Sequence, residues 1–143
     1  MDVNSILRYG VKIPCFLGVY GLSDLLNINI VSNNVGFIVV HNNHSIAVFI
    51  TETTIDVLDP LGPTNKETFG PICEFLSSHL PCKLLRMNSK LQSDVSEKCA
   101  LFCLVFLFLR QCYSFHQSIS FFTCDYVKND ETINNLFKRV FNA

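Results

Sequence analysis

The sequence lacks an excess of charge of either sign. Eleven Lys and Arg residues nearly balance 12 Asp and Glu residues, so the formal net charge is −1 and the pI is about 6.4. Non-specific binding to nucleic acid or to an acidic membrane depends on an excess of positive charge. Neither kind of partner is therefore expected from the whole chain, and any basic surface has to be local.

A run of apolar residues long enough to cross a membrane is also missing. The most apolar stretch is CALFCLVFLFL, at residues 99–109. A transmembrane helix needs about 20 such residues. The stretch is therefore predicted to form a buried core helix, and no membrane association is expected.

The seven cysteines include no Cys-x-x-Cys pair. Their odd number, the apolar composition and the lack of a recognisable secretory signal favour a reducing compartment over a disulfide-bonded scaffold. A tetrahedral zinc site needs closely paired ligands, and His41 and His44 have no Cys pair nearby. No metal site is expected.

The residues that are present predict one α+β domain covering residues 1–143. With 49% hydrophobic and 12% aromatic residues, the chain has enough apolar material for a sizeable core. Three runs rich in β-branched and aromatic residues, at 35–40, 45–51 and 54–58, predict an antiparallel meander.

Helices and extended segments are predicted on both sides of the meander. Extended segments are expected at residues 14–20 and 83–87, and short helical segments at residues 3–10 and 22–26. Longer helices are predicted to begin near Pro71, at Ser96 or Asp94, and at Asp130. Together these elements predict helices that cover an antiparallel sheet.

Cys99 lies where a helix start can activate a thiol. A thiol attacks a peptide carbonyl as a thiolate, which needs a positive field, a base and a group that orients the base. With Ser96 as N-cap, Cys99 is the third helical residue, where the dipole stabilises S⁻ by up to about 1 kcal/mol. Its N–H is then placed to donate to an oxyanion. Cys103 and Cys112, deeper in the helix, are expected to be inert.

A base and an acid precede this cysteine in the chain. His44 begins one predicted strand and Asp59 ends the next, so antiparallel pairing is expected to bring them together. Asp59 can then accept the imidazole N–H and fix its tautomer. Taken alone, each residue fits a surface turn better than a catalytic role, because HNNH and DPLG are favourable turn sequences.

Three segments together resemble the adenovirus maturation proteases, the adenain family. HSIAVFITETTIDVLDPLGPTN resembles the family segment in which His-Trp opens a strand and a later strand ends in Glu-Pro-Phe-Gly. QSDVSEKCALFC is similar to the family's Gln, six intervening residues and Cys-Gly-Leu-Phe-Cys. PCFLGVY resembles Pro-x-Phe-Leu-Gly-x-Tyr near the start of these proteases. The matches occur in the same order and cover most of the chain.

The resemblance implies a papain-like or adenain-like cysteine endopeptidase, with the nucleophile at the N-terminus of a central buried helix. Cys99 is the implied nucleophile, His44 the base and Asp59 the acid that orients it. Gln92 and the Cys99 N–H form the implied oxyanion hole. Two residues differ from the family pattern, since Ser45 replaces Trp and Ala100 replaces Gly.

The resemblance also implies partners and a location. Substrates would be capsid and core precursor proteins, cleaved by a monomer in the host cell nucleus and the virion. An activating viral peptide, released from a minor capsid protein, would form a disulfide with Cys82, although an ordinary partly buried cysteine explains Cys82 equally well. Stimulation by DNA is also known in the family, but the chain is not basic overall.

Two other functions fit the same residues. Proteases that remove ubiquitin or ubiquitin-like modifiers share the order His, Asp, Gln, Cys, and their acid is Asp, as it is at Asp59. A catalytically inactive binding or virion structural protein with the same fold is suggested by the departures at Ser45 and Ala100.

Overall fold

The sheet has five strands in the order of the sequence. The structure is a computed structural model that describes residues 1–30, 32–62, 66–94 and 96–142. The strands, labelled β1 to β5, are Phe16–Gly21, Val35–His41, His44–Ile50, Thr54–Leu58 and Leu84–Met87.

The sheet is mixed, so the prediction of a wholly antiparallel sheet was wrong at its two edges. The central strands β2, β3 and β4 form the predicted antiparallel meander. At the edges β1 is parallel to β2, and β5 is parallel to β4. Parallel neighbours need a long crossover connection. The segment between β4 and β5 provides one, because it contains a helix.

Five α-helices and one 3-10 helix lie around the sheet in the part of the chain that the structure describes. The α-helices, labelled α1 to α5, are Val3–Gly10, Lys66–His79, Cys99–Arg110, Phe115–Ile119 and Tyr126–Phe141, and the 3-10 helix is Leu22–Asn27. Within the described residues, none of these helices has both the length and the apolar character needed to cross a membrane.

Three predicted helix starts were wrong. Helix α2 begins before Pro71, because apolar contacts of its Ile72 and Leu76 side chains stabilise it despite the missing proline N–H. Helix α3 begins at Cys99, with Lys98 as N-cap instead of Ser96 or Asp94.

Helix α5 begins at Tyr126, so Asp130 lies inside it. Its N-cap is Asp125, whose carboxylate accepts the backbone N–H of Lys128 at 3.1 Å. Residues 128–132 (KNDET) are polar, and the apolar stripe from which the start was predicted begins only after them, at Ile133. Helix α4 was not predicted, although Ser114 and Gln117 form a capping box at its start.

Both faces of the sheet are buried, which explains why the central strands are almost continuously apolar. On β3, Ala47 and Phe49 face α1, α3 and α5, whereas Ile46, Val48 and Ile50 face α2. The apolar run of α3 lies between the sheet and α5. Helix α3 is therefore the central buried helix that the sequence predicted.

A two-residue turn between β2 and β3 positions the start of β3. Asn42 and Asn43 adopt positive φ angles of 48° and 62°, which suits the right-handed twist of a tight hairpin. Asn tolerates this left-handed conformation better than most residues. The turn pairs His41 with His44 and places His44 at the end of the sheet nearest the start of α3.

Candidate active site

Cys99 is the first residue of α3, and only 6% of it is exposed. Its Sγ lies 3.6 Å from the carbonyl oxygen of Asn43, in the turn before β3. The expected Ser96 cap is absent, but Cys99 still lies in the first turn of the helix. Backbone N–H groups there have no partner within the helix, and the dipole favours negative charge. The position therefore suits a thiolate.

His44 and Asp59 are in direct contact. The imidazole Nε2 lies 2.7 Å from the Asp59 Oδ1, and the two residues are 7% and 1% exposed. The antiparallel register causes this contact, because Ala47 of β3 is opposite Leu58 of β4. An ionised carboxylate only accepts hydrogen bonds, so Nε2 is the donor. Nδ1 is then the ring nitrogen that can exchange a proton with Cys99.

The electrostatics of the pair favour a thiolate and an imidazolium. Burial lowers the pKa of His44, but hydrogen bonds with Asp59 and Cys99 outweigh it and raise the pKa from 6.5 to about 9. Burial raises the pKa of Cys99, but hydrogen bonds from His44 and Ser45 bring it below its ordinary value of 9.0. With a pKa of about 9, His44 is protonated at neutral pH, and its positive charge favours the thiolate form of Cys99.

Ser45 contributes to the low pKa of Cys99, although the adenovirus proteases have Trp at the corresponding position. It is 4% exposed, and hydrogen bonding by its backbone N–H and its hydroxyl lowers the pKa of Cys99. The strand register explains why the N–H is available, since the pairing of β3 with β4 begins only at Ala47. The departure at Ser45 therefore adds one donor near the sulfur, the serine hydroxyl.

Two other cysteines, Cys103 and Cys73, have raised pKa values, in contrast to Cys99. Burial raises the pKa of Cys103, one turn further along α3, well above 9.0, and raises the pKa of Cys73 to about 11. No imidazole lowers the pKa of either thiol, whereas His44 lowers the pKa of Cys99. Both are thiols at neutral pH and poor nucleophiles.

Gln92 is buried behind the site. It is 2% exposed, and its Nε2 donates to the Ser96 carbonyl at 2.6 Å. Its Oε1 has no hydrogen-bond partner among the described residues. Gln92 does not line the pocket that contains Cys99. The structure thus places Gln92 next to the segment that enters α3, with one amide hydrogen used and the other available.

Asp59 is held by groups that the sequence did not indicate. Its Oδ1 also accepts the N–H of Leu61 at 3.0 Å, while its Oδ2 has no partner among the described residues. The side chain of Asn88, just after β5, bonds both the N–H and the carbonyl of Asp59, at 2.9 and 2.7 Å. No local signal in the sequence links residues so far apart.

A pocket of about 540 Å³ opens beside the pair. Helix α1 and the two residues before it form one wall, which was not predicted, and the turn after β2 forms another. The lining residues are Met1, Asp2, Val3, Ile6, Val40, His41, Asn42, Asn43, His44, Ser45, Glu97, Cys99 and Ala100. Cys99 and His44 are therefore accessible to a bound molecule despite their burial.

Cys82 lies away from this pocket. It is an exposed free thiol in the turn before β5. Among the described residues, no three His, Cys, Asp or Glu side chains are grouped as metal ligands.

Comparison with solved structures finds a protein domain with a similar fold. The central domain of the uncharacterized Lpg1148 protein from Legionella pneumophila is similar with a TM-score of 0.55 and 12% identity, over 98% of this chain and 89% of that chain. At this identity the likeness shows the fold alone. No protein-family model matches the sequence, and no curated protein matches it. The function therefore has to be argued from the site.

Proposed function

We propose that the protein is a cysteine endopeptidase of the adenain type. One observation carries the proposal: Cys99, at the start of α3, lines the same pocket as His44, whose Nε2 lies 2.7 Å from Asp59. The three residues have the roles of nucleophile, base and orienting acid that cysteine proteases require.

In the proposed reaction the Cys99 thiolate attacks the carbonyl carbon of the scissile peptide bond. The imidazolium of His44 donates its Nδ1 proton to the leaving amine, and a thioester forms. A water molecule then attacks the thioester, gives its proton to His44 and releases the acid, which restores the pair. Asp59 accepts the Nε2–H throughout and stabilises the imidazolium.

The oxyanion of the tetrahedral intermediate needs hydrogen-bond donors. The N–H of Cys99 is one candidate, since a residue at the first helical position has no acceptor within the helix. The second hydrogen of the Gln92 amide is the other candidate. Hydrogen bonds of this kind often align only when substrate binds.

The same proposal covers partners. Capsid and core precursor proteins would be the substrates, cut by a monomer during virion maturation in the host cell nucleus and the virion. The exposure of Cys82 is compatible with a disulfide to an activating peptide. Stimulation by DNA has no support from the overall charge.

Removal of ubiquitin-like modifiers is a second candidate. The observation that favours it is the acid, which is Asp59, as in those proteases, whereas the adenovirus proteases have Glu. Cleavage of such conjugates, with no cleavage of viral precursors, would favour this function. The inactive alternative is opposed by the geometry, since Cys99 and His44 line one pocket and His44 keeps its 2.7 Å contact with Asp59.

The proposal is tested by labelling the protein with a thiol-directed peptide electrophile and mapping the adduct by mass spectrometry, with and without a candidate capsid peptide. Selective modification of Cys99 that disappears in His44→Ala is expected. Equal labelling of several cysteines, or none at Cys99 under either condition, would contradict the proposal. Cys103→Ala is the matched control and should label normally.

A further inference from the structure

We infer that two buried asparagines, Asn88 and Asn129, are positioning residues of this site, the first for Asp59 and the second for Gln92. The inference rests on the proposed function. Neither side chain is among the residues that line the pocket, so neither is expected to touch substrate.

Asn88 continues the sheet beyond its last strand pair. It is 4% exposed and follows β5, whose final pair with β4 joins Val57 and Met87. Its Oδ1 accepts the Asp59 N–H, and its Nδ2 donates to the Asp59 carbonyl. The amide thus replaces the missing backbone partner and satisfies both polar groups of one residue. Asp59 is thereby fixed at the distance that His44 requires.

Asn129 acts on the other side of the site. It is 1% exposed on α5, and its Nδ2 donates to the Leu91 carbonyl at 3.0 Å. The N–H groups of Leu91 and Gln92 both donate to the Pro60 carbonyl at 2.9 Å. The backbone that carries Gln92 is therefore held between Asn129 and the residue that follows Asp59.

Loss of the Asn88 side chain and loss of the Asn129 side chain are expected to impair different reactions of Cys99. Alkylation by iodoacetamide needs the thiolate but develops no oxyanion, so it depends on the Asp59 side of the site. A peptide aldehyde forms a tetrahedral adduct with the sulfur, and its oxygen needs the oxyanion donors. An asparagine that serves the fold alone would affect both reactions alike.

The experiment compares Asn88→Ala and Asn129→Ala with the parent protein and with Asn135→Ala, an exposed asparagine on the same helix as Asn129. Alkylation of Cys99 is measured across pH, and peptide aldehyde affinity at neutral pH. Asn88→Ala is expected to slow alkylation near neutral pH by about tenfold, which corresponds to a pKa change of about one unit. Asn129→Ala is expected to leave alkylation unchanged and to weaken aldehyde binding by about tenfold or more.

Parallel loss of both reactions in either variant, or no loss in either, would overturn the inference. Where an alanine variant does not fold by circular dichroism, Asn88→Ser or Asn129→Ser replaces it, with the same expected pattern at smaller size. Failure of the proposed function gives a different result: Cys99 of the parent protein would then show no alkylation above that of an ordinary thiol at neutral pH.

Discussion

Asp56, in the middle of β4, and Asp59, directly after its end, are two buried aspartates that differ in their partners. Asp56 is 0% exposed and Asp59 is 1% exposed. Both Asp56 oxygens are bonded, at 2.7 Å to Arg86 Nε and at 2.9 Å to Arg110 Nη2. Asp59 has one oxygen bonded to His44, while the other has no partner among the described residues.

The difference lies in whether the positive partner can lose its proton. A guanidinium stays charged at all relevant pH values, so the Asp56 cluster is permanent. The Arg110 guanidinium also lies 4.6 Å from the centre of the Phe49 ring, whose face attracts its positive charge. Histidine can lose its proton, which His44 does at about pH 9, so its pair with Asp59 can transfer a proton. Equal burial thus holds a permanent charge cluster in one case and, in the other, a pair that can exchange a proton, as the proposed reaction requires.

The largest expected effect is on activity, in Asp59→Ala. The imidazole loses the group that fixes its tautomer and stabilises its charge, so we expect kcat to fall by about 10³–10⁴-fold. Peptide hydrolysis measures this loss, and circular dichroism should show a folded protein. Hydrolysis within about tenfold of the parent would mean that Asp59 serves only the turn.

Asp56→Ala is expected to act on stability instead. Two buried or half-buried guanidinium groups lose their shared carboxylate, which costs about 3–5 kcal/mol of unfolding free energy. Urea denaturation measures it. If Asp56→Ala lowers activity in the folded state as strongly as Asp59→Ala does, the contrast between the two aspartates is wrong.

The pH dependence sharpens the comparison. The raised pKa of His44 means that the imidazolium is present below about pH 9 and is lost above it. Activity should therefore decline on the alkaline side near that pH. The linked stabilisation is complete below the unfolded pKa of about 6.5 and disappears as pH rises through about 9.

A pH–rate profile of the parent protein and of Asp59→Ala tests this point. Without the carboxylate, burial dominates, so the pKa of His44 should fall and the alkaline limb should move to lower pH. An unchanged limb would show that it belongs to another group.

A smaller effect is expected in Arg86→Ala. The Arg86 side chain is 29% exposed, and Asp56 keeps its bonds to Arg110. The expected loss of stability is about 1–2 kcal/mol, less than in Asp56→Ala. Urea denaturation of the two variants side by side gives the order, and the opposite order would contradict the shared-carboxylate account.

The smallest effect is expected at Cys82. Without an activating peptide, Cys82→Ser should behave as the parent, because its thiol is exposed and distant from the pocket. With a cysteine-containing capsid peptide, the parent should form a mixed disulfide and gain activity, and the variant should not. Equal activation of both proteins would exclude a disulfide at Cys82.

The sequence predicted the parts of the molecule that depend on strong local patterns. The strands around Val48 and Val57 and the apolar helix after Cys99 were found because burial on both sides leaves continuous apolar runs. The directions of β1 and β5 were not found, since pairing at the edges depends on how the crossovers pack.

The residues of the candidate site also fall into those that the sequence indicated and those that it did not. Cys99, His44 and Asp59 were recognised from residue type, order and resemblance, and the structure brings them together. Asn88 and Asn129 were missed because each acts on a backbone group far away in sequence. The pocket wall from α1 was missed for the same reason.

The most direct test of the account is peptide hydrolysis by the parent protein, Cys99→Ala and Cys103→Ala, assayed on capsid precursor peptides with the activating peptide present. The two cysteines are one turn apart on α3, and both are buried. The account predicts hydrolysis by the parent and by Cys103→Ala, and none by Cys99→Ala. Hydrolysis that survives in Cys99→Ala, or that is absent from the parent, would contradict it.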